Sequence, residues 1–205
     1  MNEYTLINGN DYSAESASLD YRQLLKAMSY PGKVCHGLSI IDDTRMSIVN
    51  RSAQQIAQTL LSGDVSASYF RAPESASFER WIRFDCESRL VAVQEADFLF
   101  VNGKDLADLD LLSLKLGSEE SPDRSVTLLV MVSHTFMSES LRPVFASGPG
   151  IRPEGPEVKL NLDDIPTEFF QHRQQLAPLF PMGMDMFICH PREFIALPRT
   201  TSLVW

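Results

Sequence analysis

Two stretches in the C-terminal third of the chain carry residues able to do chemistry. The stretch 147-SGPGIRPEG-155 sets three glycines and two prolines around Arg152, and 196-ALPRTT-201 sets Arg199 beside Thr200 and Thr201. Successive backbone N–H groups around Gly148 and Gly150 can form a concavity for an anion, with Arg152 adding charge. An arginine beside two hydroxyls can hold a phosphate or a partner's carboxylate, or it can tie down stray backbone carbonyls. The glycine stretch meets no nucleotide motif. A P-loop ends in Lys-Ser or Lys-Thr, absent here, and a dinucleotide fingerprint needs a third glycine where Pro153 stands. Pro149 also removes one N–H donor. Glycines mark turns far more often than phosphates, so a bend at a strand end and an anion contact both stand as readings.

Other candidate chemistry is sparser. Cys35-His36 and Cys189-His190 invite a metal reading, but zinc ligands are usually separated by two to four residues. Neighbours on a strand point to opposite faces, so a buried thiol beside an exposed imidazole is expected and no metal site is assigned. Gly-x-Ser-x-Gly, Ser-x-x-Lys and His-Glu-x-x-His are missing. His134 follows an apolar run at the carboxyl end, where α/β sheets place ligands, yet a lone histidine there is expected to be structural or solvent-facing. Asp123 and Asp185 read as isolated acids at caps or turns. No catalytic residue is assigned. The residues marked for contact with a ligand or a partner are Arg22, Gly148, Gly150, Arg152, Asp185, Arg199, Thr200 and Thr201.

These residues need elements to position them. Tyr21, Leu24, Leu25 and Met28 recur at helical spacing after Ser18, which is read as the cap of a helix stopped by Pro31-Gly32. Asn50 caps a second helix over 51–63, with Ile56 and Leu60 buried. A short helix is expected over 74–85 and another over 104–117, carrying Leu106, Leu109, Leu112 and Leu116 on one face. Asp163 or Asp164, with Pro166, opens a helix to about Ala177. Strands are expected at Lys33–Ile41, Ser66–Phe70, Arg89–Val93, Asp97–Val101, Ser125–Val132, Leu141–Ala146, Asp185–Cys189 and Phe194–Leu197. The Val-rich run Ser125–Val132 is the best candidate for a central strand buried on both faces. The result is an α/β or α+β sandwich with a mixed sheet. Residues 1–17 form a polar, mobile opening and 18–205 a single domain.

Composition excludes several classes. In 205 residues the formal net charge is −9, which argues against broad binding to nucleic acid or an anionic membrane. The longest membrane-like run, 126-VTLLVMV-132, is far too short to span a bilayer. No secretory signal is recognisable, and three widely spaced cysteines fit a reducing cytoplasm. The apolar end Leu203-Val204-Trp205 is expected to pack against something.

Five blocks in order carry a family resemblance: 21-YRQLLKAMSYPG-32, 122-PDRSVTLLVMV-132, 147-SGPGI-151, 180-FPMGMD-185 and 196-ALPRTT-201. Together they resemble the H subunit of bacterial carbon–phosphorus lyase (PhnH), over about residues 19–204. The resemblance implies a role in phosphonate catabolism. With the G, I and L subunits, the family supports attachment of the ribose triphosphate of ATP to the phosphonate, with displacement of adenine. It implies a core complex with G, I and J, a homodimer for the isolated chain, and an accessory rather than catalytic part. It also implies a three-layer α/β/α sandwich resembling pyridoxal-phosphate-dependent transferases without the cofactor site, so no cofactor is expected. The rival reading is a domain that binds ATP or phosphonate directly through the Gly148–Gly150 bend and Arg199.

Overall fold

The computed structural model describes residues 6–7, 14–36, 38, 40–41, 48–71, 76–152 and 158–205. Its centre is a six-stranded mixed sheet. In chain order the strands are β3 (Ser66–Tyr69), β4 (Arg89–Leu90), β5 (Phe98–Asn102), β6 (Thr127–Met131), β9 (Asp185–His190) and β10 (Glu193–Leu197). Their spatial order is β10-β9-β6-β5-β3-β4, parallel throughout except for β10, which pairs antiparallel to β9. The expected central strand is β6, with Leu128 to Met131 buried. A smaller antiparallel sheet has the order β11-β7-β8, from β7 (Val144–Ser147), β8 (Val158–Leu160) and β11 (Ser202–Val204). A two-residue parallel pair joins β1 (Leu6–Ile7) to β2 (Ile40–Ile41).

The period of two along each strand divides the core. Phe100, Leu129, Met131, Phe187, Cys189, Phe194 and Ala196 face one side. There they meet α1 (Ala14–Ser29), α2 (Arg51–Leu60) and α3 (Ala76–Arg80), the last running into a π-helical turn at Trp81–Asp85. Leu99, Val101, Leu128, Val130, Met186, Ile188, Ile195 and Leu197 face the other side. That side is covered by α4 (Thr167–Gln174), short 3₁₀ turns and the small sheet, so one outer layer is helical and the other is mostly not.

Several boundaries differ from the sequence reading. α1 starts at Ala14, so Ser18 is inside the helix and not its cap, and the expected edge at residue 17 falls within α1. Its buried stripe is Asp20, Leu24 and Ala27, one residue round from the expected one, and Tyr21 and Leu25 are exposed. Asp20 is tolerated inside because Gln55 of α2 donates to its carboxylate at 2.9 Å. Asn50 does cap α2, accepting from the Ala53 N–H at 3.0 Å, but α2 ends at Leu60, before Gly63. Among the described residues of the strand expected from Lys33 to Ile41, Cys35 forms a bridge and Ile40–Ile41 a two-residue pair, while residues 37 and 39 lie outside the described residues.

The helix expected over 104–117 is instead two 3₁₀ segments, Gly103–Asp108 and Leu111–Ser113. Asp110 interrupts it: its side chain accepts from the Leu112 N–H and its carbonyl from the Ser113 hydroxyl. Leu111 and Leu114 are therefore buried, while Leu112 is exposed.

Asp163 and Asp164 do not cap α4, whose N-cap is Pro166. Asp164 accepts the Ser133 and His134 N–H groups at 2.6 and 2.9 Å. Burial would raise its carboxyl, but the His134 and Ser133 donors outweigh burial and hold it below the usual carboxylate value. Asp97 is also lowered, Lys115 and Ser66 outweighing burial. A carboxylate lowered by folding stabilises above its unfolded value, here 3.8, and that contribution is lost as pH falls through the folded value. Stability is therefore expected to fall from about pH 5 towards pH 2. The urea midpoint of Asp164→Asn should depend less steeply on pH over that window; an unchanged slope would contradict the assignment.

Candidate functional site

The hairpin of β9 and β10 decides the fate of Asp185 and Arg199. Antiparallel pairing sets Leu197 opposite Met186, so the residues just beyond them meet at the amino edge of β9. Asp185 is thus not isolated. Its Oδ1 accepts the Arg199 backbone N–H at 2.8 Å and Nε at 3.3 Å, and its Oδ2 accepts Nη2 at 2.7 Å. Arg199 also donates from Nη1 to the Pro122 and Pro181 carbonyls and from Nη2 to the Ser125 hydroxyl. All five guanidinium N–H directions thus have protein acceptors, and the side chain is only 15% exposed. An anion at Arg199 would have to displace one of them.

The glycine bend is docked on both sides. Gly148 has φ +131, and a Cβ there would sit 2.7 Å from the Thr200 carbonyl oxygen. Gly150 has φ +85, and a Cβ there would sit 2.4 Å from the Ser29 carbonyl oxygen at the end of α1. The Ile151 N–H closes the bend onto the Gly148 carbonyl at 3.1 Å. The bend therefore clasps the end of α1 and the Arg199–Thr201 segment. Gly150→Ala combines a left-handed backbone with a clash against main chain, and is expected to cost about 2–3 kcal/mol. Thermal unfolding would show this as a lowered midpoint; an unshifted midpoint would mean the bend is not held as described.

Behind this edge a cleft of about 190 Å³ opens between α4 and the segment from Arg199 to Leu203. Arg173, Gln174, Arg199, Thr201 and Ser202 form its polar part, with Phe170, Phe180, Met182 and Met184 as apolar wall. Arg173 donates from Nη1 to the Thr201 carbonyl at 2.8 Å and from Nη2 to the Pro198 carbonyl at 2.9 Å, and no acceptor among the described residues meets its buried Nε. The Thr201 hydroxyl is also buried and has no hydrogen-bond partner among the described residues. Burial pushes the Arg173 guanidinium down to about 10, opposed by the Asp185 charge, so it stays cationic at neutral pH.

Of the residues marked from sequence, the fold brings Gly148, Asp185, Arg199, Thr200 and Thr201 to this edge, and seats Gly150 on α1. Arg22 and Arg152 are exposed and do not line the cleft. Sequence reasoning missed Arg173. Its signal was its spacing: with Phe169, Phe170 and Leu176 buried, position 173 falls on the same apolar stripe of α4.

At the opposite, carboxyl edge of the parallel strands, His134 Nδ1 lies 3.0 Å from Asp164, and His36 Nδ1 lies 3.7 Å from Glu193. Cys189 is buried beside a half-buried His190, and Cys35 is half-buried beside an exposed His36. Among the described residues no group of three or more His, Cys, Asp or Glu could hold a metal ion, and no helix is long and apolar enough to cross a membrane.

Comparison with known proteins gives this geometry a context. A protein of Stutzerimonas stutzeri named as a C–P lyase subunit protein, HtxG, is 27% identical over 188 residues, covering 89% of this chain and 83% of that protein. The alpha-D-ribose 1-methylphosphonate 5-triphosphate synthase subunit PhnH of Rhizobium meliloti (strain 1021) is 25% identical over 183 residues, covering 89% of this chain and 88% of that protein. The sequence profile of the family described as bacterial phosphonate metabolism protein (PhnH) matches residues 9–204, and with nearly the whole chain inside that match, the protein belongs to the PhnH family.

Proposed function

We propose that this chain is a subunit of a bacterial carbon–phosphorus lyase system for organophosphonate catabolism. In this reading it is required, with its partner subunits, for transfer of the ribose triphosphate of ATP to methylphosphonate as adenine leaves. Its part is accessory. It pairs as a homodimer in the cytoplasm, joins the G, I and J subunits, acts functionally with L, and carries no cofactor. The observation that carries the proposal is that two relatives, each matched over about nine-tenths of this chain, both bear the names of subunits. The mixed sheet with an antiparallel edge strand is compatible with an architecture like that of pyridoxal-phosphate transferases.

The surface of α1 supports a partner-binding role. Leu19, Tyr21 and Leu25, with Tyr30 just past the end of α1, are each about half exposed, and apolar and aromatic side chains on a surface favour association. Co-expression of the tagged chain with the other subunits tests the reading: stoichiometric co-purification is expected. Recovery of the tagged chain alone, folded and in good yield, would reject it. Direct ligand binding is the second reading. Arg199 offers it little, since its donors are spent, and the observation that favours it is the cleft beside Arg173.

A further inference from the structure

The outward face of α1 carries charge as well as apolar side chains. With 3.6 residues per turn, the buried positions Asp20, Leu24 and Ala27 form the inward stripe. Opposite them run two i, i+4 ridges, Tyr21–Leu25–Ser29 and Arg22–Lys26. Tyr30 extends the second ridge, since its N–H still bonds to the Lys26 carbonyl at 3.1 Å. Leu19 flanks that ridge on its other side, so the two cations lie between apolar residues. Lys33 joins them, its Nζ standing 5.9 Å from the centre of the Tyr30 ring. Burial raises the Cys35 thiol and the Lys33 and Lys26 charges oppose it, so both cations are felt at one side chain. Arg22, Lys26 and Lys33 are exposed, and among the described residues no carboxylate pairs with any of them. Glu15, the one exposed acid of α1, precedes Arg22 by about 10 Å along the axis, near the screening length of physiological salt. In a chain of net charge −9, this face is therefore opposite in sign to the protein as a whole.

We propose that this face is the docking surface for a partner subunit, and that its occupant is an amphipathic helix with Asp or Glu along the line of contact and apolar residues on either side. Parallel i, i+4 ridges are the relief into which a second helix packs. Carboxylates of the occupant pair with Arg22 and Lys26, while Tyr21, Leu25 and Leu19 bury against its apolar flanks. Aromatic residues and arginine are the types enriched at such interfaces. Charge decides against the other occupants. A second copy docked through the same face about a two-fold axis sets the cationic ridge against its own equivalent. Nucleic acid or an anionic membrane matches the ridge but is repelled by the net charge of the chain. The inference rests on the subunit reading and adds which face is used and what chemistry meets it.

Co-expression of the tagged whole chain with the G, I and J subunits tests this, with the double variant Arg22→Glu, Lys26→Glu beside the parent. The parent is expected to retain its partners, and to retain less of them as NaCl rises from about 0.1 M to about 1 M. The reversed pair should retain about tenfold less or lower still. Its own melting temperature should stay within about 2 °C of the parent, because both side chains are exposed. Leu25→p-benzoylphenylalanine, irradiated in the assembled complex, identifies the occupant by mass spectrometry. The expected adduct is to a segment of a partner subunit that carries Asp or Glu. If the reversed pair does not fold, this adduct decides. A parent that retains its partners beside a reversed pair that retains them equally rejects this face and leaves the subunit role standing. A parent that retains none removes both. An adduct to a second copy, to a segment without Asp or Glu, or to no partner at all overturns the proposed occupant.

Discussion

Arg199→Ala is expected to lower the melting temperature by about 6–12 °C, the equivalent of about 3 kcal/mol in a domain of this size. Asp185 would keep its bond from the residue 199 backbone N–H but lose the guanidinium. The Ser125 hydroxyl and the Pro122 and Pro181 carbonyls would lose a donor together. The lower end of the range for breaking a buried ion pair applies because the Asp185 side chain keeps 25% of its exposure. Arg199→Lys should recover little, since an ammonium cannot span five acceptors arranged around a planar fork. Calorimetry on both variants is the check. If Arg199→Ala melts like the parent yet abolishes growth on methylphosphonate, the arginine is a ligand or partner contact and not a tie.

Phe100→Ala is expected to be at least as damaging, at about 3–5 kcal/mol. Phe100 is fully buried at the centre of a ring cluster on the helical face of the sheet. Its ring lies 5.3 Å from Phe78 and 6.0 Å from Trp81, both edge-on, and stacks at 6.2 Å on Tyr69. Each such pair adds about 0.5–1.5 kcal/mol beyond area burial, and rings held by strand and helix alike cannot close the void. Trp81→Phe is the informative contrast. Trp81 Nε1 is buried without a partner among the described residues, so removing the indole nitrogen offsets part of the lost volume and should cost less. A urea midpoint shift for Phe100→Ala no larger than that of Trp81→Phe would contradict this packing.

How far the sequence alone reaches depends on the range of the interactions. Local rules located Asn50, α2, β3, β5, β6 and the closing strands β9 and β10, because caps and period-two burial are decided within a few residues. The same rules failed at 104–117, where Asp110 competed for the backbone, and on α1. The apolar stripe expected on α1 belonged partly to the surface, because a carboxamide on α2 permitted Asp20 to go inside.

The apolar end also changed meaning in three dimensions. Leu203 is buried, and Trp205 lies 5.5 Å from the ring of Phe170, so these residues already have partners within the chain. Truncating them would weaken the fold before any assembly.

By itself the sequence determined the family, through five ordered blocks, and a mixed sheet of the α/β or α+β class, through periodicity. It also ruled out a nucleotide loop at Gly148–Gly150, since the Lys-Ser/Thr and the third glycine are absent. Only the tertiary structure decided what the marked residues do. Gly148 and Gly150 face Thr200 and Ser29, Arg199 is saturated by Asp185 and three other groups, and Arg173 and Thr201 each keep a buried polar atom without a partner among the described residues. The physical reason is distance along the chain: Arg199 binds groups 14, 18, 74 and 77 residues away, and no local spacing encodes contacts that only the closed sheet brings within hydrogen-bonding range.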